Sequence, residues 1–358
     1  MPTTGVCACA KLDVEWNLPG EDSVAPWFGV DPAVRLIGGG EGMRGTARRA
    51  ASCVQVINPL SPALCSGADR KDNIDMSQQR ELTVLINRKI DSGEVELPVF
   101  DDIALRINRE VNENRLDAEH ICKIIEEDQV LVADLLRMAN SSFFSGLSSV
   151  SSLREAAVRL GIRQIASIVF SVSQKRLYSA SRGMFKARLT QLWQHTSAVS
   201  IGARWLAANS GYRNLADESF VAGLLHDIGK LSLLCALEDI ISSEGLELSD
   251  EVVNNILQDM HSEHGAQLLT LWNLPESYKT IVLHLDDEAC DPHNVVLCMI
   301  RLVDKACVLE DINDMPTDEV VILENMPEVA ALSLSDRDLA ELRLVLQEVK
   351  GERQAAAA

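Results

Sequence analysis

From Met76 onward the chain repeats apolar side chains every three or four residues, and strict two-residue alternation is nearly absent. That spacing lines one face of a helix, whereas a strand needs a period of two, so the fold class is all-α. The first stripes are Ile103, Ile107 and Val111; then Ile121, Ile124 and Ile125; then Val132, Leu135, Leu136 and Met138, which ends at Asn140-Ser141-Ser142. Ser152-Leu-Arg-Glu155 has the spacing of a capping box, and Gly161 closes the short helix that follows it. Longer helices are expected at 162–178, 184–209, 216–240, 250–272, 276–286, 293–310 and 335–349. No repeat of fixed period is visible, which excludes a solenoid.

Residues 1–75 read differently, with three glycines at 38–40, a Pro- and Ser-containing stretch at Pro59–Ser66 and four cysteines. Gly40-Glu-Gly42-Met-Arg-Gly45 fits a dinucleotide-binding spacing. Such a loop needs a βαβ unit that aims a helix N-terminus at a pyrophosphate, and this segment runs instead into Asn58-Pro59 and Ser61-Pro62. It reads as a low-order leader, and Met76 is a candidate start of the native chain.

Charge removes further classes. With 33 Lys+Arg against 53 Asp+Glu, the net charge of −20 repels phosphate backbones and anionic lipid, so no direct nucleic-acid or membrane partner is expected. The acidic charge reads most simply as a solvated surface, with the clusters Asp286-Asp-Glu288 and Glu310-Asp-Ile-Asn-Asp314 as the candidates to face a basic partner. The longest apolar run, Ile162–Val172, is interrupted by Arg163, Gln164 and Ser167 and falls short of the ~18–20 residues of a membrane span. Met1–Ala10 has neither a basic nor an apolar signal region, so the expectation is a cytoplasmic protein. Nine scattered cysteines, an odd count without a CxxC pair, argue against a disulfide frame or zinc ribbon. Cys122, Cys235, Cys298 and Cys307 sit in apolar helical patterns and read as packing.

The most informative segment is Gly223-Leu-Leu-His226-Asp227-Ile-Gly229-Lys230. An imidazole beside a carboxylate is a mixed N/O pair suited to a divalent Fe, Mn, Zn, Ni or Mg ion. Lys230, four residues after His226, is on the same helical face and within reach of a phosphate. Further candidates fall on separate predicted helices: His195, His261 with His264, His284 and Asp304. Five of the seven histidines belong to these segments, and His120 and His293 read as surface residues. If the bundle brings these side chains together they line a metal pocket that activates water for attack on phosphorus; the other reading is a buried polar network that fixes helix register.

Three stretches in order carry a resemblance: Glu96-Leu-Pro98 through Ile107; Ile124-Ile-Glu-Glu-Asp128 through Asn140-Ser141-Ser-Phe143-Phe; and Val150-Ser-Ser-Leu through Leu160-Gly161. They continue into Leu192-Trp193-Gln-His195, Ala222 through Lys230, and His261-Ser-Glu-His264-Gly265 through Leu274-Pro275. The chain resembles the HDOD domain, an HD-related output domain of bacterial signalling proteins. The resemblance implies 76–94 as a lead-in helix, 95–290 as the HDOD domain, 291–350 as a helical extension completing the bundle, and 351–358 as a frayed tail.

It further implies kinship with HD-type metal phosphohydrolases and with the HD-GYP phosphodiesterases of cyclic di-GMP. His195, His226-Asp227 and Asp304 match the H…HD…D signature, His261 and His284 match extra HD-GYP-like ligands, and Lys230 matches a phosphate-facing lysine. Gln191 stands where HD-GYP proteins carry Glu, Leu285 where they carry a second His, and the Gly-Tyr-Pro signature is absent. These departures disfavour cyclic di-GMP cleavage. The leading expectation is a regulatory module that binds signalling partners. The alternatives are a metal-dependent phosphohydrolase, in which Asp227 polarises water and Lys230 clamps phosphate, and a nucleotide sensor without turnover.

Overall fold

Short polar side chains start six of the helices among the described residues. Asp101, Asp117, Asp128, Ser152, Ser249 and Asn294 each accept a hydrogen bond from a backbone amide two or three residues ahead, which satisfies donors that a helix start leaves open. The computed structural model describes residues 68–141, 143–144, 149–180, 183–317 and 319–357. The glycine-rich segment at 40–45 and Cys7, Cys9, Cys53 and Cys65 lie outside them.

The helices are α1 (Ala68–Asp91), α2 (Asp102–Asn112), α3 (Ala118–Ile125), α4 (Gln129–Ala139), α5 (Leu153–Leu160), α6 (Ile162–Ala180), α7 (Lys186–Asn209), α8 (Ala216–Leu225), α9 (Ile228–Glu244), α10 (Asp250–Leu271), α11 (Glu276–His284), α12 (Val295–Leu309), α13 (Pro327–Ala331) and α14 (Asp336–Ala357). There is no strand among the described residues. Helices α2 to α6 form one half. In the other, α7 is the central rod, packed against α6, α8, α12 and α14, while α9 lies on α10 and α10 on α11. One continuous apolar core runs through both halves.

Helix α1 docks on the second half through buried Leu82 and Ile86, an ion pair of Lys89 with Glu244 at 2.6 Å, and a hydrogen bond from His264 Nε2 to Asn87 Oδ1 at 3.0 Å. The segment 291–350 supplies α12, α13 and most of α14, whose Leu339, Leu342, Leu346 and Val349 are buried, so it is part of the same core.

Four local expectations change. Helix α1 begins at Ala68, inside the expected leader, and α14 stays helical to Ala357, where a run of helix-favouring alanines carries the ladder through the expected tail. The capping box is half formed: Ser152 accepts from the Glu155 amide, but Glu155 reaches back to the amide and hydroxyl of Ser151. The predicted helix 216–240 is split at His226-Asp227, where Asp227 adopts φ −108 and ψ 18. Residues 213–244 contain an 18-residue window apolar enough to cross a membrane, but 94% of that window is buried inside the bundle, so its hydrophobicity is spent on the core.

The split is held by two close approaches. A Cβ on Gly223 would lie 2.5 Å from Ser200 Cα, and one on Gly229 would lie 1.8 Å from the His261 carbonyl oxygen. The glycines flanking His226-Asp227 therefore let α8 press on α7 and α9 press on α10 at the level of His195 and His261.

Candidate metal centre

Those contacts bring four helices to one point. His195 comes from the middle of α7, His226 and Asp227 from the α8–α9 break, His261 from α10 and Asp304 from α12. His195 Nε2 lies 3.2 Å from His226 Nε2, 3.1 Å from Asp304 Oδ1 and 3.6 Å from Asp227 Oδ2, and His226 Nε2 lies 3.3 Å from Asp227 Oδ2. His195, His226 and Asp227 are almost wholly buried, while Asp304 is partly open to a cleft.

The far nitrogens define how the rings are used. His195 Nδ1 bonds the Ile312 carbonyl at 2.8 Å, His226 Nδ1 bonds Gly223 at 2.8 Å, and His261 Nδ1 bonds Leu257 at 2.9 Å. A carbonyl only accepts, so each Nδ1 carries a proton and each neutral ring turns its Nε2 lone pair inward. Two lone pairs then face each other across 3.2 Å beside two carboxylates, an arrangement that requires a cation. A proton on His195 Nε2 is one answer. Burial opposes it, but the hydrogen bond to Asp304 and the fields of Asp314, Asp304 and Asp227 carry the His195 pKa up to about 9. A divalent ion is the other: His195, His226 and Asp304 offer donor atoms close enough together to hold one, as do His195, Asp227 and Asp314, with the rings oriented by carbonyls behind them.

Lys230 occupies a place that sequence reasoning did not foresee. Its ammonium lies 2.7 Å from Asp227 Oδ2 and 3.0 Å from Asp314 Oδ2, between two carboxylates. Burial works against these charges. Even so, Lys230, His226 and His261 hold the Asp227 carboxyl well below the usual range, and Asp227 and Asp314 raise the lysine. Asp314 was missed as a site residue. Its signal was position: it follows Ile312, whose carbonyl orients His195, in the loop that leaves α12 ten residues after Asp304.

His261 flanks the ring, with Nε2 3.9 Å from Asp227 Oδ1 and 3.2 Å from Asp286 Oδ2, the latter a second residue not singled out from sequence. Burial again opposes charge on His261, and Asp286 and Asp227 overcome it to raise its pKa. His284 is not brought in. It stands half exposed at the end of α11 with Nδ1 2.8 Å from Asp287 Oδ2. Gln191 is exposed and lines no part of the cleft. His120 and His293 are exposed.

The acidic clusters are also occupied from within. Glu310 accepts from Arg343 and Gln347 of α14, Asp311 pairs with Lys350, Asp314 faces Lys230, and Asp286 and Asp287 hold histidines. Glu310, Asp311 and Asp314 thus meet cations of the chain itself, while the side chains of Asp286, Asp287 and Asp311 stay half or more exposed.

The cleft above the ring is lined by Lys230, Asp286, Asp304, Lys305, Asp314 and Glu319, among others. Lys305 is held by Glu319 at 2.7 Å.

The model of the HDOD domain matches residues 97–287. The chain belongs to the HDOD domain family. An uncharacterised protein of Treponema pallidum (strain Nichols) is 29% identical over 213 residues, which span 57% of this chain and 40% of that protein, so the chain covers well under half of its relative's length. Among solved structures, an HDOD domain protein of unknown function from Geobacter sulfurreducens is 25% identical with TM-score 0.59, over 78% of this chain and 97% of the other. A protein of Shewanella amazonensis, described provisionally as a metal-dependent phosphohydrolase, is 20% identical with TM-score 0.63, over 78% of this chain and 99% of its own. A provisionally described signal transduction protein of Marinobacter aquaeolei shares 19% identity with TM-score 0.54, over 82% and 66%. The last two likenesses speak for the fold.

Proposed function

We propose that this HDOD protein is a signalling module that holds one divalent metal at His195, His226, Asp227 and Asp304 and acts by binding protein partners. The observation that carries it is the placement of Lys230, whose ammonium is taken by Asp227 and Asp314 at 2.7 and 3.0 Å. A lysine neutralised by two carboxylates adds no net positive field for a phosphate, and the remaining cleft cation, Lys305, is paired as well. Asp286, Asp304, Asp314 and Glu319 repel an anionic substrate from the same cleft. The half built from α2 to α6 leaves Val99, Val130 and Val158 exposed, and it is the surface we assign to partners. The location is taken to be the cytoplasm.

One feature favours hydrolysis as a second reading: the metal ligands open to solvent through Asp304, so a bound ion has room for water. A metal held there would supply Lewis acidity to that water and to a phosphoryl oxygen. Asp304 would then hold the ion beside His195, whose ring the Ile312 carbonyl orients through Nδ1.

The test is elemental analysis of the full chain, prepared without a polyhistidine tag, beside Asp227→Ala. Near-stoichiometric Fe, Mn, Zn, Ni or Mg, lost in the variant, is expected, together with no turnover of phosphomonoesters or nucleotides by the metal-loaded protein. Absence of metal in folded wild type defeats the metal assignment. Robust turnover that disappears in Asp304→Ala transfers the assignment to hydrolase.

A further inference from the structure

At the junction of α11 and α12 lies a sulfur pair that the proposed function does not use. Cys290 is in the loop between α11 and α12, and Cys298 is in the first turn of α12, yet their Sγ atoms are 3.1 Å apart. Both are free thiols, and each also approaches the Asp291 carbonyl, at 3.8 Å for Cys290 and 3.4 Å for Cys298. Cys298 is fully buried, whereas Cys290 is only partly so. One sulfur is therefore open to a small reagent, and the other waits behind it.

The loop between them has a defined task. Arg301 of α12 donates through Nη1 to the carbonyls of Leu285 and Asp287, at 2.6 and 2.7 Å, and its Nε bonds buried Glu328 at 2.6 Å. The same loop carries Asp286, which reaches His261 at 3.2 Å. Whatever fixes Cys290 to α12 fixes the rim of the cleft.

We propose that Cys290 and Cys298 form a reversible disulfide by exchange with a low-molecular-weight disulfide, stapling the α11–α12 loop to the first turn of α12. In the first step the Cys290 thiolate, having given its proton to water, attacks one sulfur of the reagent. The reagent's S–S bond breaks and one small thiol leaves, which gives a mixed disulfide on Cys290. In the second step the Cys298 thiolate attacks Cys290 Sγ, the bond to the reagent breaks, and the second small thiol leaves. The protein loses two hydrogens and the reagent is reduced to two thiols. At 3.1 Å the sulfurs are about 1 Å farther apart than the ~2.05 Å of a disulfide bond. Burial, then the neighbouring sulfur, push the Cys290 thiol up to about 12, so thiolate is scarce and exchange is slow.

The experiment treats the native full chain with oxidised glutathione, digests it after alkylation, and maps the peptides by mass spectrometry. A Cys290–Cys298 linked peptide lighter by two hydrogens, released by dithiothreitol, is expected. With it, amide exchange across residues 286–290 slows on the order of tenfold. Cys298→Ser is expected to accumulate glutathione on Cys290, and Cys290→Ser to leave Cys298 unmodified. If Cys298→Ser does not fold, the Cys290→Ser arm and the wild-type map still decide. Glutathione retained on Cys290 of wild type without closure, or no reaction at Cys290 while the half-buried Cys122 or Cys235 reacts, overturns the proposal. Metal content does not enter either outcome, so this test and that of the proposed function fail separately.

Discussion

The two halves of the bundle treat charge in opposite ways. Between Asp102 and Ala180 no Asp, Glu, His, Lys or Arg side chain is buried among the described residues; the second half, α7 to α12, buries His195, His226, Asp227, Lys230, His261 and His264. The same motif shows the contrast. Arg176 of α6 gathers Asp128 at 2.7 Å, Asp101 at 3.6 Å and Asp134 at 3.7 Å with its side chain 34% exposed, while Lys230 gathers two carboxylates with 9% exposed. Water screens the first cluster and is excluded from the second. A desolvated network of this kind costs free energy that apolar side chains of equal volume would not, so it does not exist for stability. What it offers is a fixed geometry of lone pairs, and that points to ligation.

The sharpest way to break the comparison is Asp227→Ala. It removes the carboxylate shared by His195, His226 and Lys230 and leaves a buried ammonium with Asp314 as its one short contact. The expected loss is about 3 kcal/mol of unfolding free energy, read from urea midpoints, since removing one member of a buried pair strands the other. A loss below about 1 kcal/mol would mean that the second half tolerates charge as the first does, by letting water in.

The fold was legible because periodicity is local. Stripes such as Ile121, Ile124 and Ile125 need only the helix to predict which face is buried, and all three are. The His-Asp pair was legible too, because its residue types are rare inside apolar helices. What escaped was contributed by loops. Asp314 and Asp286 carry no periodic signature, and their roles depend on where the chain goes after α12 and α11. Lys230 shows the same limit: its residue type and nearness to the His-Asp pair were legible, but its partner Asp314 is distant in sequence. Even the split at His226-Asp227 is a tertiary effect. It depends on the contacts of Gly223 and Gly229 with α7 and α10, which are distant in sequence, while the His226 Nδ1 bond to the Gly223 carbonyl three residues back is its local part.

A smaller effect is expected from the first half. Arg176→Gln deletes the centre of three ion pairs, yet each is open to solvent and screened by salt. The stability change should stay under about 1 kcal/mol and shrink further in high salt. If Arg176→Gln matched Asp227→Ala, exposure would not be what separates the halves, and the surface we assign to partners would be a structural centre instead.

The smallest effect is expected at His284, and it separates the ring from its sequence neighbours. His284 and Asp287 are each 52% exposed, and their hydrogen bond at 2.8 Å is replaceable by water on both sides. His284→Ala should therefore change stability by no more than about 0.5 kcal/mol and leave metal content at the wild-type level. His195→Ala should abolish metal content, because its Nε2 faces His226, Asp227 and Asp304 together. Equal metal loss in both would require α11 to turn so that His284 reaches His261. That would move Asp287 away from Arg301, which now holds its carbonyl at 2.7 Å, and Leu285, held at 2.6 Å, with it. The Arg301 contacts oppose that movement, so the ring closes without His284 and takes its remaining carboxylates from the loops.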